Sequence, residues 1–298
     1  MSKTKAWIQA FRLRTLPLAF SSILLGAFLA IGNNAFDGLI LSLSLLTTLF
    51  LQVLSNLAND YGDAQSGVDS SQREGPSRTV QSGLISKSQM KAGLIFCSIL
   101  ALISGVSLII YAFPGNWKLS ILFLILGLGA IAAAIKYTVG KNPYGYSGFG
   151  DLFVLIFFGY VGVLGSYFLY AGALDFHMFL PATTCGLFAV AVLNVNNIRD
   201  IESDKISGKY SVPVRLGRNK AVYYHWILLA LGAGSAIVFA IQSDFYNFDW
   251  LFLAVIPLLF LNARAVYVKK TAKELDPFLK QMALTTLLFV LLFGWALT

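Results

Sequence analysis

Charge is scarce in this sequence. Of 298 residues only 12% are Asp, Glu, Lys or Arg, where a soluble domain carries about 25%. Hydrophobic residues make up 57%, and they fall in long runs. A soluble globular domain is thereby excluded and an all-α integral membrane protein is expected. Cysteine is nearly absent. Cys97 and Cys185 both lie inside apolar runs, which leaves no disulfide framework and no cysteine metal site. The two histidines, His177 and His225, have no partner at metal-ligand spacing. No Ser/His/Asp order, phosphate-binding glycine loop or dinucleotide fingerprint occurs. No acid falls in the middle of an apolar run, which argues against a transporter with a midplane acid site. Two acidic stretches about 140 positions apart, each at the end of a span, hint at a weak internal duplication of a four-helix unit; the rest of the sequence shows no convincing repeat and no low-complexity tract. No cleavable signal peptide is expected, because the run from Leu16 to Ile31 has no small-residue cleavage site and leads into another span.

What remains is a set of apolar runs near the ~20 residues a bilayer requires. Nine are read, at roughly 15–32, 38–58, 91–113, 118–136, 151–171, 178–198, 222–242, 249–268 and 279–297. They form one domain, 1–298. The formal net charge of +8 follows from the positive-inside rule and implies no nucleic acid. With the N-terminus in the cytoplasm, the N-terminal arm and the loops after spans two, four, six and eight hold every Lys and Arg except Lys118. The opposite loops hold Asp37, Asp175, Asp244 and Asp249. The expected location is the cell (inner) membrane, in contact with membrane lipid. The loops after spans two and six are long, about thirty and twenty residues, and loops of that length in a compact bundle are usually functional. Short helical pieces are expected within them, near Lys87–Lys91 and Lys205–Lys209.

Those two loops begin with acid. In SNLANDYGDAQSGVDSSQREGPSRTVQSG (Ser55 to Gly83), Asn56, Asn59, Asp60 and Asp63 share about 100° of arc if the helix continues at 3.6 residues per turn. Asp69, Arg73 and Arg78 follow. In NVNNIRDIESDKISGKYSVPVRLG (Asn194 to Gly217), Asn196, Asn197, Asp200 and Asp204 share a similar arc, with Arg199, Lys205, Lys209 and Arg215 around them. A lone Asp at a helix end is most simply a solvated loop acid. Two clusters of one pattern, at one membrane face, point to a site.

Converging carboxylates repel, and without a cation some must take up protons. Magnesium removes the conflict: it takes hard oxygen ligands, usually one or two carboxylates with phosphate and water. Asn56, Asn59, Asn196 and Asn197 can donate to phosphate or orient the acids. Arg78, Arg199, Lys205, Lys209 and Arg215 can neutralise a leaving diphosphate, although the positive-inside rule alone also places bases here. The loop KYTVGKNPYGYSGFGD (Lys136 to Asp151) joins Lys136 and Lys141 with Tyr137, Tyr144, Tyr146 and Asp151. It reads either as a reader of an aromatic acid or phosphate, or as a Gly/Pro turn with interfacial tyrosines. Arg12 and Arg14 serve as a topology anchor, with Pro17 in the first turn of a span. A few of the many aromatic residues can line an apolar groove and shield a carbocation.

The segments RTLPLAF (Arg14 to Phe20), NDYGD (Asn59 to Asp63), REGPSR (Arg73 to Arg78), GDLFVLIFFG (Gly150 to Gly159) and NNIRDIESD (Asn196 to Asp204), with Gly208, Lys209 and VRLG (Val214 to Gly217), resemble the UbiA superfamily of intramembrane prenyltransferases. Within it they are most similar to the branch that prenylates 1,4-dihydroxy-2-naphthoate. The resemblance implies nine transmembrane helices around a central cavity, with both Asp-rich motifs at the cytoplasmic end. It implies magnesium held by Asp60, Asp63, Asp69, Asp200 and Asp204, with Asp60, Asp63, Asp200 and Asp204 catalytic. It further implies transfer of the group from a polyprenyl diphosphate to 1,4-dihydroxy-2-naphthoate, with loss of carbon dioxide and a proton. Lys141 and Arg199 are the candidates for the acceptor carboxylate. Two departures stand out: the third acid of the first motif falls at Asp69 rather than at Gly67, and the second motif opens with Asn197 rather than Asp. The alternatives are another acceptor, such as 4-hydroxybenzoate, or a membrane transporter. The DG…AR…G…D…D pattern of the membrane CDP-alcohol phosphotransferases is missing.

Overall fold

The structure, a computed structural model, describes residues 2–66 and 79–298. Asp69, Arg73 and Arg78 lie outside the described residues. Among the described residues there is no strand, and nine helices are long and apolar enough to cross a membrane: Lys3–Gly32, Gly38–Gln65, Lys87–Ala112, Trp117–Lys136, Gly150–Ala171, Phe176–Arg199, Arg218–Gln242, Asn247–Val268 and Ala272–Trp295. The protein is a multi-pass membrane protein, with each expected span in its expected place.

Local chemistry starts the helices. Asp37 Oδ1 accepts from the backbone N–H of Leu39 at 2.7 Å and of Ile40 at 3.0 Å, which opens the second span. These bonds favour the ionised form, and the Asp37 carboxyl is held below its usual range, first by the Ile40 amide. Reciprocal capping boxes open the third span (Ser86 with Gln89) and the ninth (Thr271 with Glu274). Pro17 sits in the first turn of the helix Leu16–Gly32, where its missing N–H leaves no bond unmade.

The structure corrects four details. The first span carries an additional helix, Lys3–Phe11, ahead of the expected start. The second span does not stop near Ala58 but continues as helix to Ser66. The fifth is π-helical from Leu155 to Gly165, a wider winding that recurs at functional sites. The eighth begins as 3-10 helix, Asn247–Val255, before Ile256–Val268. The expected short pieces take the form of Ile201–Ile206 and Val212–Leu216, whereas Lys87–Lys91 is the first turn of the third span.

Burial makes the sixth span the axis of the bundle: 67% of its apolar window is buried, against none of the fourth. The main core packs Leu25 and Leu29 of the first span and Phe188 of the sixth against Phe252, Phe289 and Phe293. Lipid tails are as apolar as these side chains, so close backbone approach and interhelical hydrogen bonds must supply the specificity. At Gly159 a Cβ would lie 2.9 Å from the Ala182 carbonyl and 3.0 Å from Gly186 Cα, so the π-helical span and the axis touch backbone to backbone. A buried polar chain ties the last three spans. His225 Nε2 meets Asn262 Oδ1 at 2.9 Å, Asn262 Nδ2 donates to Gln281 Oε1, and Gln281 Nε2 donates to Thr285 Oγ1 at 2.9 Å.

Candidate active site

The first acidic motif is buried rather than solvated. Asp60 is 1% and Asp63 3% exposed, because helix continues through NDYGD and is covered from outside. Asp60 Oδ2 accepts from the Thr79 N–H at 3.1 Å and from its hydroxyl at 2.6 Å. Asp60 Oδ1 is buried with no hydrogen-bond partner among the described residues. Asp63 Oδ1 accepts from the Tyr146 hydroxyl. Asn59 Oδ1 accepts from the Thr138 hydroxyl at 3.3 Å, and that hydroxyl also reaches the Ala58 carbonyl at 2.9 Å. Asn56 faces elsewhere: its Nδ2 donates to the Phe11 carbonyl at 2.9 Å and to Thr15 Oγ1 at 3.0 Å, holding the N-terminal segment.

The second motif closes the sixth span, and Asn197, Arg199, Asp200 and Asp204 are all buried. Arg199 Nε and Nη2 each donate to an oxygen of Asp200 at 2.7 Å, and Nη2 also reaches Asn196 Oδ1 at 3.0 Å. Lys209 Nζ lies 3.0 Å from Asp204 Oδ2. The backbone of Gly208, in the left-handed region, turns the chain so that the Lys209 N–H also donates to the Asp204 carbonyl at 2.8 Å. Lys205 and Lys141 are exposed. Arg215 is exposed too, and its guanidinium donates to the Tyr210 carbonyl at 3.1 Å and to the Ser147 carbonyl at 2.8 Å, so it staples loops together.

The loop from Lys136 to Asp151 joins the two motifs. Its single 3-10 turn, Tyr144–Ser147, presents Tyr146, which donates its hydroxyl to Asp63 and accepts the Tyr210 N–H on its carbonyl at 2.8 Å. Tyr210 follows Lys209, the partner of Asp204. One residue thus links NDYGD to the segment that closes on the second motif. Gly62 makes the approach possible: a Cβ there would lie 2.5 Å from the Thr138 carbonyl. Burial raises the Tyr137 hydroxyl above the ordinary phenol range, and the charges of Asp151 and then Asp204 raise it further. Tyr144 is raised likewise, by burial and then by Tyr137, and it stacks on Phe153 with centroids 4.1 Å apart. Asp151 accepts from the Tyr224 hydroxyl at 2.9 Å, which anchors the loop's far end.

Reasoning on sequence missed Thr79, Thr138 and Tyr224, and assigned Tyr146 no contact. Of these only Tyr146 carried a signal, in the crowding of tyrosines between two glycines. Asp276, 2.7 Å from Arg199 Nη1, also went unnoticed.

Among the described residues no three His, Cys, Asp or Glu side chains converge on one metal position. Asp60 and Asp63 lie three residues apart on the helix Gly38–Ser66, while Asp200 caps the sixth span and Asp204 lies on the following short helix Ile201–Ile206. Magnesium usually draws only one or two carboxylates from protein and completes its shell with phosphate and water. Asp60 Oδ1, buried and without a partner among the described residues, and the all-oxygen donor set fit such an ion.

Comparison with known proteins agrees with this architecture. The UbiA prenyltransferase family model matches residues 19–293. A 1,4-dihydroxy-2-naphthoate octaprenyltransferase of Haemophilus influenzae is 47% identical over 299 residues, spanning 99% of this chain and 96% of that protein. The Escherichia coli protein of the same description is 45% identical, over 98% of this chain and 96% of its own length. Among solved structures, a UbiA homologue from Archaeoglobus fulgidus bound to DMAPP and Mg2+ shares the fold, with a TM-score of 0.61 and 16% identity over 96% of this chain and 98% of that one. Since the matched region reaches from the first span to the ninth and takes in both acidic motifs, the chain belongs to the UbiA prenyltransferase family.

Proposed function

We propose that this protein transfers a polyprenyl group from polyprenyl diphosphate to 1,4-dihydroxy-2-naphthoate, with release of carbon dioxide, and so forms demethylmenaquinol in menaquinone synthesis. The observation that carries the reading is the link Asp63–Tyr146–Tyr210–Lys209–Asp204, which ties both acidic motifs at one end of the bundle. The identity of the acceptor is supported by the relatives at 45% and 47% identity, both of them 1,4-dihydroxy-2-naphthoate octaprenyltransferases.

The whole chain acts as one domain in the inner membrane, with its N-terminus and the site on the cytoplasmic side. Asp60, Asp63, Asp200 and Asp204 would hold magnesium, which when bound screens the diphosphate and eases its departure. The residues of the chain do the remainder. Tyr146 orients Asp63. Lys209, with Lys205, supplies positive charge around the phosphates, while Arg199 holds Asp200 in place. A unit charge pair at 4 Å is worth about 4 kcal/mol at an effective dielectric of 20, so a few such groups lower the barrier to C–O heterolysis substantially. The C1–O bond of the donor breaks, the electron pair leaves with the diphosphate, and an electron-rich ring carbon of the acceptor bonds to C1. Carbon dioxide leaves from that same carbon, the one that carried the carboxylate, and the electron pair of the broken C–C bond restores the aromatic ring. The apolar tail requires lipid while the diphosphate requires water and cation, and a site at the membrane edge meets both needs.

The test is to incubate membranes carrying the protein with octaprenyl diphosphate, magnesium and either 1,4-dihydroxy-2-naphthoate or 4-hydroxybenzoate. The decarboxylated naphthoate adduct is expected by mass spectrometry, and its loss when EDTA is added. Product with 4-hydroxybenzoate alone would overturn the acceptor, and no metal-dependent release of diphosphate would overturn the activity.

A further inference from the structure

Arg199 ends the sixth span with its guanidinium turned inward, its side chain 3% exposed. Two carboxylates share it. Nε and Nη2 reach the two oxygens of Asp200 at 2.7 Å, and Nη1 reaches Asp276 Oδ1 at 2.7 Å. Asp276 lies in the ninth span beside Pro277, and its other oxygen is 3.5 Å from Arg14 Nη1. The first, sixth and ninth spans therefore meet through one row of alternating charge, Arg14–Asp276–Arg199–Asp200. Surface ion pairs contribute little, but the Arg199 side chain is withdrawn from water, where the loss of a partner is felt in full.

We infer that Asp276 is a positioning residue for the second acidic motif: it supplies Arg199 with a counter-charge other than Asp200, so that Asp200 can turn to a cation without stranding a buried guanidinium. The inference rests on the proposed function above. A bidentate arginine–carboxylate pair is short and strong, and Asp200 is engaged in one. If Asp200 had to leave that pair to bind a cation, the positive charge of Arg199 would remain, buried, beside the incoming ion. Asp276 prevents this by holding Nη1, while Asn196 Oδ1 holds Nη2 at 3.0 Å. Arg14 opposes the effect, because it draws part of the Asp276 charge to itself across the 3.5 Å gap.

Two substitutions then have opposite signs. Asp276→Asn keeps an oxygen for Nη1 but removes the charge, and partners of metal ligands typically shift metal affinity 10–100-fold when changed. The expected result is Mn2+ binding, followed by electron paramagnetic resonance on purified protein with inorganic diphosphate, weakened about tenfold. The magnesium concentration for half-maximal prenyl transfer should rise in parallel, with kcat at saturating magnesium within about twofold of wild type. Asp276→Glu should restore wild-type binding. Arg14→Gln should tighten Mn2+ binding about twofold, since Arg14 is half-exposed and its pull is screened. A purely structural contact would lower folded yield in all variants without moving the metal titration in two directions. Coincident Mn2+ curves for wild type, Asp276→Asn and Arg14→Gln would overturn the inference, and if Asp276→Asn does not fold, an unshifted or weakened curve for Arg14→Gln does so alone. A wild-type protein that binds Mn2+ but transfers no prenyl group would overturn the proposed function instead.

Discussion

At the scale of single residues, burial separates a site acid from a solvated one. An ordinary acid at a helix end faces water, whereas Asp60, Asp63, Asp200 and Asp204 are each 5% exposed or less. Four buried acids are unfavourable unless something positive completes them. Asp63→Ala and Asp200→Ala are accordingly expected to abolish turnover while the protein still inserts, as judged by membrane fractionation beside the prenyl-transfer assay. Full activity of purified Asp63→Ala in magnesium would contradict this. Tyr146 allows a finer measurement. Tyr146→Phe removes the hydroxyl that donates to Asp63 and leaves the carbonyl that accepts from Tyr210. A hydrogen bond to a charged group contributes about 1.5–3 kcal/mol to stability, so the thermal midpoint should fall, and with Asp63 no longer oriented a fall in activity of about tenfold or more is expected. An unaltered kcat would remove Tyr146 from the site.

At the scale of elements, the informative contact lies between the second span and the loop after the fourth. Gly62→Ala sets two effects against each other. Alanine favours helix by about 1 kcal/mol over glycine, but its Cβ would lie 2.5 Å from the Thr138 carbonyl, a backbone atom that cannot rotate away. The clash should win, because overpacking costs about 1–3 kcal/mol and here it also displaces the loop that carries Tyr146. The expected outcome is a lower thermal midpoint together with a loss of activity exceeding the loss of folded protein. Unchanged activity would mean that the loop has room to move. This contact also marks the boundary of what is legible in sequence. Hydropathy over some twenty residues is a local property, so the nine spans and the arc of Asp60 with Asp63 can be read directly, whereas the expected arc of Asn196, Asn197, Asp200 and Asp204 is broken, because helix stops at Arg199, Asp200 caps it and Asp204 lies on the separate helix Ile201–Ile206. The end of the second span cannot be read directly either. The composition of NDYGDAQS turns polar, and it takes Thr79 and Tyr146, distant in sequence, to cover its acids and let helix persist. Asp276 is illegible for the same reason: it is one acid in the short charged stretch KELD, and only the packing of the ninth span on the sixth gives it a partner. The π-helical stretch Leu155–Gly165 carries Gly159, which approaches Gly186 of the sixth span, a contact between two spans that neither announces alone.

At the scale of the whole molecule, the remaining question is which face of the membrane the two acidic motifs occupy. The bundle places both at one end, linked through Tyr146, and the distribution of Lys and Arg predicts that this end faces the cytoplasm. The physical basis is that Lys- and Arg-rich loops resist translocation, with the bias counted over short loops near the spans. Lys118 is the exception, and it neighbours Trp117, an interfacial residue whose ring lies 5.8 Å from the Lys118 ammonium. The native cysteines make the arrangement measurable, because Cys97 and Cys185 are both buried and free, and a membrane-impermeant thiol reagent should leave them unlabelled. Asn142 lies in the exposed loop after the fourth span and Ser243 in the exposed turn after the seventh. Asn142→Cys is expected to react only when the reagent reaches the cytoplasmic face, in inside-out vesicles, and Ser243→Cys only in intact spheroplasts. Asn142→Cys labelled in spheroplasts would overturn the proposed cytoplasmic orientation of the site. Both positions labelled from one face would mean an even number of crossings between them, against the three spans, fifth to seventh, that the fold places there.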